Sequence, residues 1–266
     1  MALYKLVTAL VLMHNTRGLL GAEVRSNIIG GHNAPKGGWP WMVYLNFTSD
    51  GINSWRCGGT ILNNQWVLTA ANCWNRSPAP NVRRSMAWVG SHSLQEASVR
   101  YMGIETVVTP RDFRALNTGF LNDLAMVKLK KKLTFTNLVD SVSLPPTDVK
   151  FDPSSECWIT GWGYIGPNVP LPGKETLQEL QVNIIDDAVC KQQYPEMTER
   201  MMCAGDMKGG KDACNGDYGG PLVCRTATGI VQVGIMSYGS CGLSGRPGVY
   251  TKVSKYLDFI KHYMQQ

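Results

Sequence analysis

The side chains able to do chemistry in this 266-residue chain are few and unevenly placed. Eight cysteines (Cys57, Cys73, Cys157, Cys190, Cys203, Cys214, Cys224 and Cys241) are even in number, wide and irregular in spacing, and contain no Cys-x-x-Cys pair. The four histidines, His14, His32, His92 and His262, are too scattered to complete a zinc site, so the cysteines are expected to form disulfides and no metal is expected. Disulfides imply an oxidising compartment, extracellular or a secretory granule. The sequons Asn46-Phe47-Thr48 and Asn75-Arg76-Ser77 fit that address as glycosylation candidates. A run of cations, Lys128, Lys130, Lys131 and Lys132, sits within a net charge of +6. It reads either as a polyanion-binding patch or as a solvated face, and the solvated face is the more ordinary outcome.

The elements that must position these groups are mostly strands. The chain has 28 glycines, 14 prolines and 8 tryptophans, and is 44% hydrophobic and 17% charged. That composition favours many short strands joined by turns, an all-β protein with one large domain or two fused halves. Strand-like stretches include Trp41 to Asn46, Thr60 to Ile61, Trp66 to Thr69, Ala125 to Leu129, Cys157 to Thr160, Leu180 to Ile185, Leu222 to Cys224, Ile230 to Met236 and Gly248 to Val253. Val253, Tyr256, Leu257, Ile260 and Tyr263 recur at intervals of three and four, which predicts a terminal helix over about 252–264. At the other end, Lys5 precedes the apolar run Leu6 to Met13 and small residues follow at Gly21 and Ala22, so residues 1–22 read as a signal peptide and 23–27 as a short propeptide-like segment. No other stretch has the length and apolarity of a transmembrane segment, and no cofactor or nucleic-acid partner is expected.

Four segments together carry a family resemblance: Ile28-Ile29-Gly30-Gly31; Cys57-Gly58-Gly59-Thr60 followed by Trp66 to Cys73; Asn122-Asp123-Leu124-Ala125; and Gly216-Asp217-Tyr218-Gly219-Gly220-Pro221-Leu222. In order and spacing they resemble the trypsin-like serine proteases, from Ile28 to the final helix. The segment Gly38-Trp39-Pro40-Trp41-Met42 most resembles the acrosin and tryptase branch. The resemblance implies two antiparallel six-stranded β-barrels over about 28–140 and 141–251, with the C-terminal helix against the second. It also implies disulfides Cys57–Cys73, Cys157–Cys224, Cys190–Cys203 and Cys214–Cys241.

Proteolysis on such a scaffold needs a hydroxyl nucleophile, an imidazole to carry its proton and a buried carboxylate to orient the imidazole. Where the family reads Ala-Ala-His-Cys this chain has Ala70-Ala71-Asn72-Cys73, and where it reads Gly-Asp-Ser-Gly-Gly this chain has Gly216-Asp217-Tyr218-Gly219-Gly220. An amide does not titrate near neutral pH, and a phenol, with an unperturbed pKa near ~10, has no base beside it. Asp123, the third member, is expected to be a structural acceptor for Asn72. The Gly-Asp-Tyr-Gly-Gly-Pro pattern is similar to the protease-like part of hepatocyte growth factor, which is inactive and binds a receptor. Asp212, with Gly239 and Gly248, matches the base and walls of the pocket that selects Arg or Lys. Gly216 and Tyr218 match the oxyanion hole. Ile28 and Asp217 match the pair that joins when activation frees the Ile amine, yet Asn27 stands where a basic residue belongs and Arg25 is the nearest one.

The resulting expectation is a secreted, non-catalytic serine protease homologue that acts by binding a protease, an inhibitor or a receptor. The alternatives are a serine endopeptidase with Arg/Lys preference and residual activity, and a cationic heparin- or surface-binding effector similar to azurocidin.

Overall fold

Alternation of side chains along short strands builds two barrels and, in the same stroke, the seam between them. The computed structural model describes residues 28–96, 100–147 and 149–266. The expected signal peptide and propeptide-like segment lie outside the described residues. Strands β1 (His32–Asn33), β2 (Met42–Thr48), β3 (Ser54–Ile61), β4 (Trp66–Thr69), β5 (Met86–Val89) and β6 (Arg100–Val108) are followed by a small hairpin, β7 (Arg114–Ala115) with β8 (Phe120–Leu121), and by β9 (Ala125–Leu129). The first barrel closes antiparallel in the order β2-β3-β4-β9-β6-β5. On β2, Val43, Leu45 and Phe47 enter its core. Met42 and Tyr44 point the other way and join Trp162, Leu171 and Leu177 in a cluster that bonds the two halves.

The second half contributes β10 (Cys157–Gly161), β11 (Gln178–Ile185), β12 (Met201–Gly205), β13 (Pro221–Thr226), β14 (Gly229–Tyr238) and β15 (Gly248–Lys252). These pair in the order β11-β10-β13-β14-β15-β12, and β12 returns to β11 to close a second six-stranded barrel, with β1 added outside β11. The four disulfides pair as the resemblance implied, and none of the eight cysteines is free. Between strands lie helices α1 (Ala71–Trp74) and α2 (Asp187–Gln193), the latter capped by the Asp186 carboxylate accepting from the Ala188 N–H.

Two boundaries differ from expectation. Residues 28–33 belong to the second barrel: Ile28 is fully buried in its core, Ile29 bridges to Asp212, and β1 pairs with β11. The terminal element is a turn of 3₁₀ helix (Val253–Tyr256) leading into α3 (Leu257–Met264), and it packs on the first barrel rather than the second. Its stripe of Val253, Tyr256, Leu257 and Ile260 enters the first-barrel core, while Tyr263 meets the Trp66 ring at 5.8 Å. Strands β5, β6 and β12 escaped the sequence reading because β6 interrupts its apolar residues with Arg100, Gly103, Glu105 and Thr106, and β12 is a methionine-rich pentapeptide.

Candidate functional site

The residues matched to the catalytic positions do converge at the junction of the barrels. Asn72 sits in α1 immediately after β4, Asp123 in the turn before β9, and Tyr218 in the turn before β13. Asp123 is fully buried, with no cation beside it among the described residues. Its Oδ1 accepts from the Asn72 backbone N–H at 2.7 Å, and its Oδ2 accepts from Asn72 Nδ2 at 2.5 Å and from the Ser237 hydroxyl. Burial pushes the Asp123 carboxyl up to about 6, opposed by these donors. Asn72 Nδ2 also donates to the Ser237 carbonyl at 3.1 Å, so one amide ties the first-barrel helix to β14 across the cleft. Ser237 was not anticipated from sequence, although it lies two residues before the singled-out Gly239.

Tyr218 is half-buried, its ring packed against the cores of both barrels. Its carbonyl accepts from the Gly58 N–H at 2.8 Å, which fixes the turn to β3. Burial raises the phenol above its usual range, the charges of Asp212 and Asp217 raise it further, and Arg76 opposes them. Neither the Asn72 amide nor this phenol is a base near neutral pH. Gly216 keeps the positive φ of +98° that its turn requires, and a Cβ there would lie 3.0 Å from the Gly163 Cα.

Asp212, Gly239 and Gly248 also come together: a Cβ on Gly239 would lie 3.4 Å from both the Gly248 Cα and Asp212 Oδ2. Asp212 is only 1% exposed; its oxygens accept from the Ala213 N–H at 2.9 Å and the Gly242 N–H at 3.0 Å. Burial pushes its carboxyl up to about 7. In the loop after β14, Cys241 adopts a left-handed φ of +51° and turns the Gly242 N–H onto the carboxylate. Tyr238 stacks edge-on to Phe120 of the β7–β8 hairpin at 6.5 Å and to Tyr194 at 5.7 Å, and Gly119 lies so close that any Cβ would overlap its ring. Neither Tyr238 nor the hairpin was singled out from sequence.

Asp217 lies buried at the base of the second barrel, where its oxygens accept from the Gly163 and Cys214 N–H groups and burial raises its carboxyl to about 7. Among the remaining sequence candidates, Asn75 is exposed just beyond α1, whereas Asn46 lies within β2, half-buried, with Oδ1 enclosed and unpaired. Strand pairing on both sides of Asn46 makes it the poorer glycan acceptor. The lysine run divides: Lys128 pairs with Glu105 at 3.6 Å and lies over the Trp66 ring, while Lys130, Lys131 and Lys132 are exposed. No cluster of metal-ligating side chains and no helix long and apolar enough to cross a membrane occurs among the described residues.

The family model described as Trypsin matches residues 28–260. The chain belongs to the trypsin family. It is 36% identical over 241 residues to coagulation factor XI of Bos taurus, covering 90% of this chain but only 38% of that protein. Identity is also 36% to human testisin, over 91% of this chain and 80% of testisin, and to mouse tryptase, over 91% and 90%.

Proposed function

We propose that this member of the trypsin family is a secreted, non-catalytic protease homologue that works by binding. The observation that carries the reading is the bond from Asn72 Nδ2 to Asp123 and the Ser237 carbonyl: the carboxylate that would orient an imidazole holds an amide that cannot accept a proton. Tyr218 at the nucleophile position supports it. The placement nearest the acrosin and tryptase branch rests on Gly38 to Met42. Within that segment the Trp39 indole donates to Glu179 at 2.6 Å and packs on Trp41 and Trp158, so the signature has a structural role at the barrel seam. Secretion is supported by the four disulfides and the apolar amino-terminal run.

The test is hydrolysis of Arg and Lys peptide esters by the purified protein, before and after cleavage that frees Ile28, beside an Asn72→His, Tyr218→Ser double variant treated identically. The unmodified protein is expected to show no turnover in either form. Turnover that disappears on Asp123→Ala would overturn the reading and restore the endopeptidase alternative.

A further inference from the structure

The most exposed large apolar side chain described is Ile52, 87% accessible at the tip of the β2–β3 hairpin. Isolated apolar residues on a surface are ordinary, but this one is mounted on an unusually well-bonded turn. Asp50 accepts from the Ile52 and Asn53 N–H groups, each at 2.8 Å, and from Asn53 Nδ2 at 2.8 Å. Thr48 Oγ1 accepts from the Gly51 N–H and donates to the Asn53 carbonyl, and Arg84 ties the Asp50 carbonyl to the neighbouring loop at 2.6 Å. Such a turn is already ordered, so docking Ile52 costs little conformational entropy.

Charge surrounds the tip on one side. Arg83 and Arg84 are exposed beside it, and Arg76 is exposed with its guanidinium 5.4 Å from the ring of Trp55, three residues beyond Ile52. None of the three makes an ion pair among the described residues. The turn's one carboxylate, Asp50, is held down to about 2 by its internal hydrogen bonds, so it stays ionised and offsets one of the three arginine charges. A protruding aliphatic residue, a half-buried tryptophan and unpaired arginines form the composition typical of an interface centre. Arg76 Nε also reaches the Asn72 carbonyl at 3.4 Å, so the patch borders the Asn72–Asp123 cluster.

We propose that the Ile52, Trp55, Arg76, Arg83 and Arg84 surface docks an acidic segment of a partner protein that carries apolar side chains. This deepens the reading of the chain as a binder by naming the chemistry of its partner. The basic side chains would set approach and salt dependence, and Ile52 would supply the contact that a free polyanion lacks.

The experiment is fluorescence anisotropy with a labelled peptide of four Glu-Glu-Leu repeats. It contains no basic residue, so its binding is read independently of any trypsin-like turnover. Comparators are the same length of Glu-Glu-Gln repeats and a heparin-derived hexasaccharide. The Glu-Glu-Leu peptide is expected to bind about ten-fold more tightly than the Glu-Glu-Gln peptide, with Ile52→Ser removing that advantage and Ile52→Val retaining it. Arg83→Ala with Arg84→Ala should weaken binding and flatten its salt dependence, whereas Lys130→Ala, Lys131→Ala, Lys132→Ala should leave it unchanged. Unchanged melting temperatures keep the Ile52 and Arg variants interpretable as surface changes. The proposal is overturned if the Glu-Glu-Leu peptide fails to bind at millimolar concentration. It is equally overturned if Glu-Glu-Gln or the hexasaccharide binds as well, or if Ile52→Ser has no effect.

Discussion

Removing the Asn72 amide is the sharpest perturbation of the cluster at the barrel junction. In Asn72→Ala the Asp123 carboxylate loses its 2.5 Å donor and the buried Ser237 carbonyl loses its 3.1 Å donor, while the backbone N–H and the Ser237 hydroxyl remain. A hydrogen bond to a buried charge contributes about 1.5–3 kcal/mol, and an orphaned buried carbonyl costs about 1–3 kcal/mol. Since the site can relax, we take about 3 kcal/mol at pH 7.5, which in a domain of this size is a fall in melting temperature of roughly 6–12 °C. The sign with pH follows from Asp123, whose carboxyl stands at about 6. Asn72 donates preferentially to the ionised form, so its loss raises that value further. The destabilisation is therefore full above it and shrinks as the medium is acidified towards pH 5. Circular-dichroism melts and urea titrations of both proteins at pH 5 and 7.5 measure this. A loss under about 1 kcal/mol at pH 7.5, or one that grows on acidification, refutes the role given to the amide.

Three buried carboxylates with no cation among the described residues beside them, Asp123 at about 6 and Asp212 and Asp217 at about 7, stand above the ordinary value of 3.8. Their protonated forms favour the folded state, so that stability is fully present below pH ~4 and is lost as pH rises through ~6 and ~7, by at most ~1.4 kcal/mol per pH unit for each group. Melting temperatures recorded from pH 4.5 to 8 should fall across the interval, and a rise contradicts the assignment. Cleavage between Asn27 and Ile28 should relieve part of this slope if the freed ammonium reaches Asp217, which calorimetry of the cut and uncut chains at pH 7.5 compares. Gly119→Ala should cost about 1–3 kcal/mol through overlap with the Tyr238 ring. Denaturant titration reads that cost, and a neutral substitution would show that the β7–β8 hairpin is held less tightly than its packing indicates.

The family, the two barrels and the disulfide pairs were legible in the residues because they depend on local signals kept in order: Ile28-Ile29-Gly30-Gly31, Ala70 to Cys73, Asn122 to Ala125 and Gly216 to Leu222. The substitutions Asn72 and Tyr218 were legible too, since a missing imidazole and a phenol in place of an aliphatic hydroxyl are facts of residue type, whatever surrounds them. Tertiary structure alone decided which surface α3 covers, because its apolar stripe fits either barrel and only the distance run by the chain brings Tyr263 onto Trp66. It decided that residues 28–33 join the second barrel, since Ile28 carries no mark of which core will receive it. And it decided the surroundings of Asp212 and Tyr238. The carboxylate's Gly242 donor depends on the turn at Cys241, and the Tyr238 ring packs on a hairpin more than a hundred residues earlier, long-range contacts that no local pattern encodes.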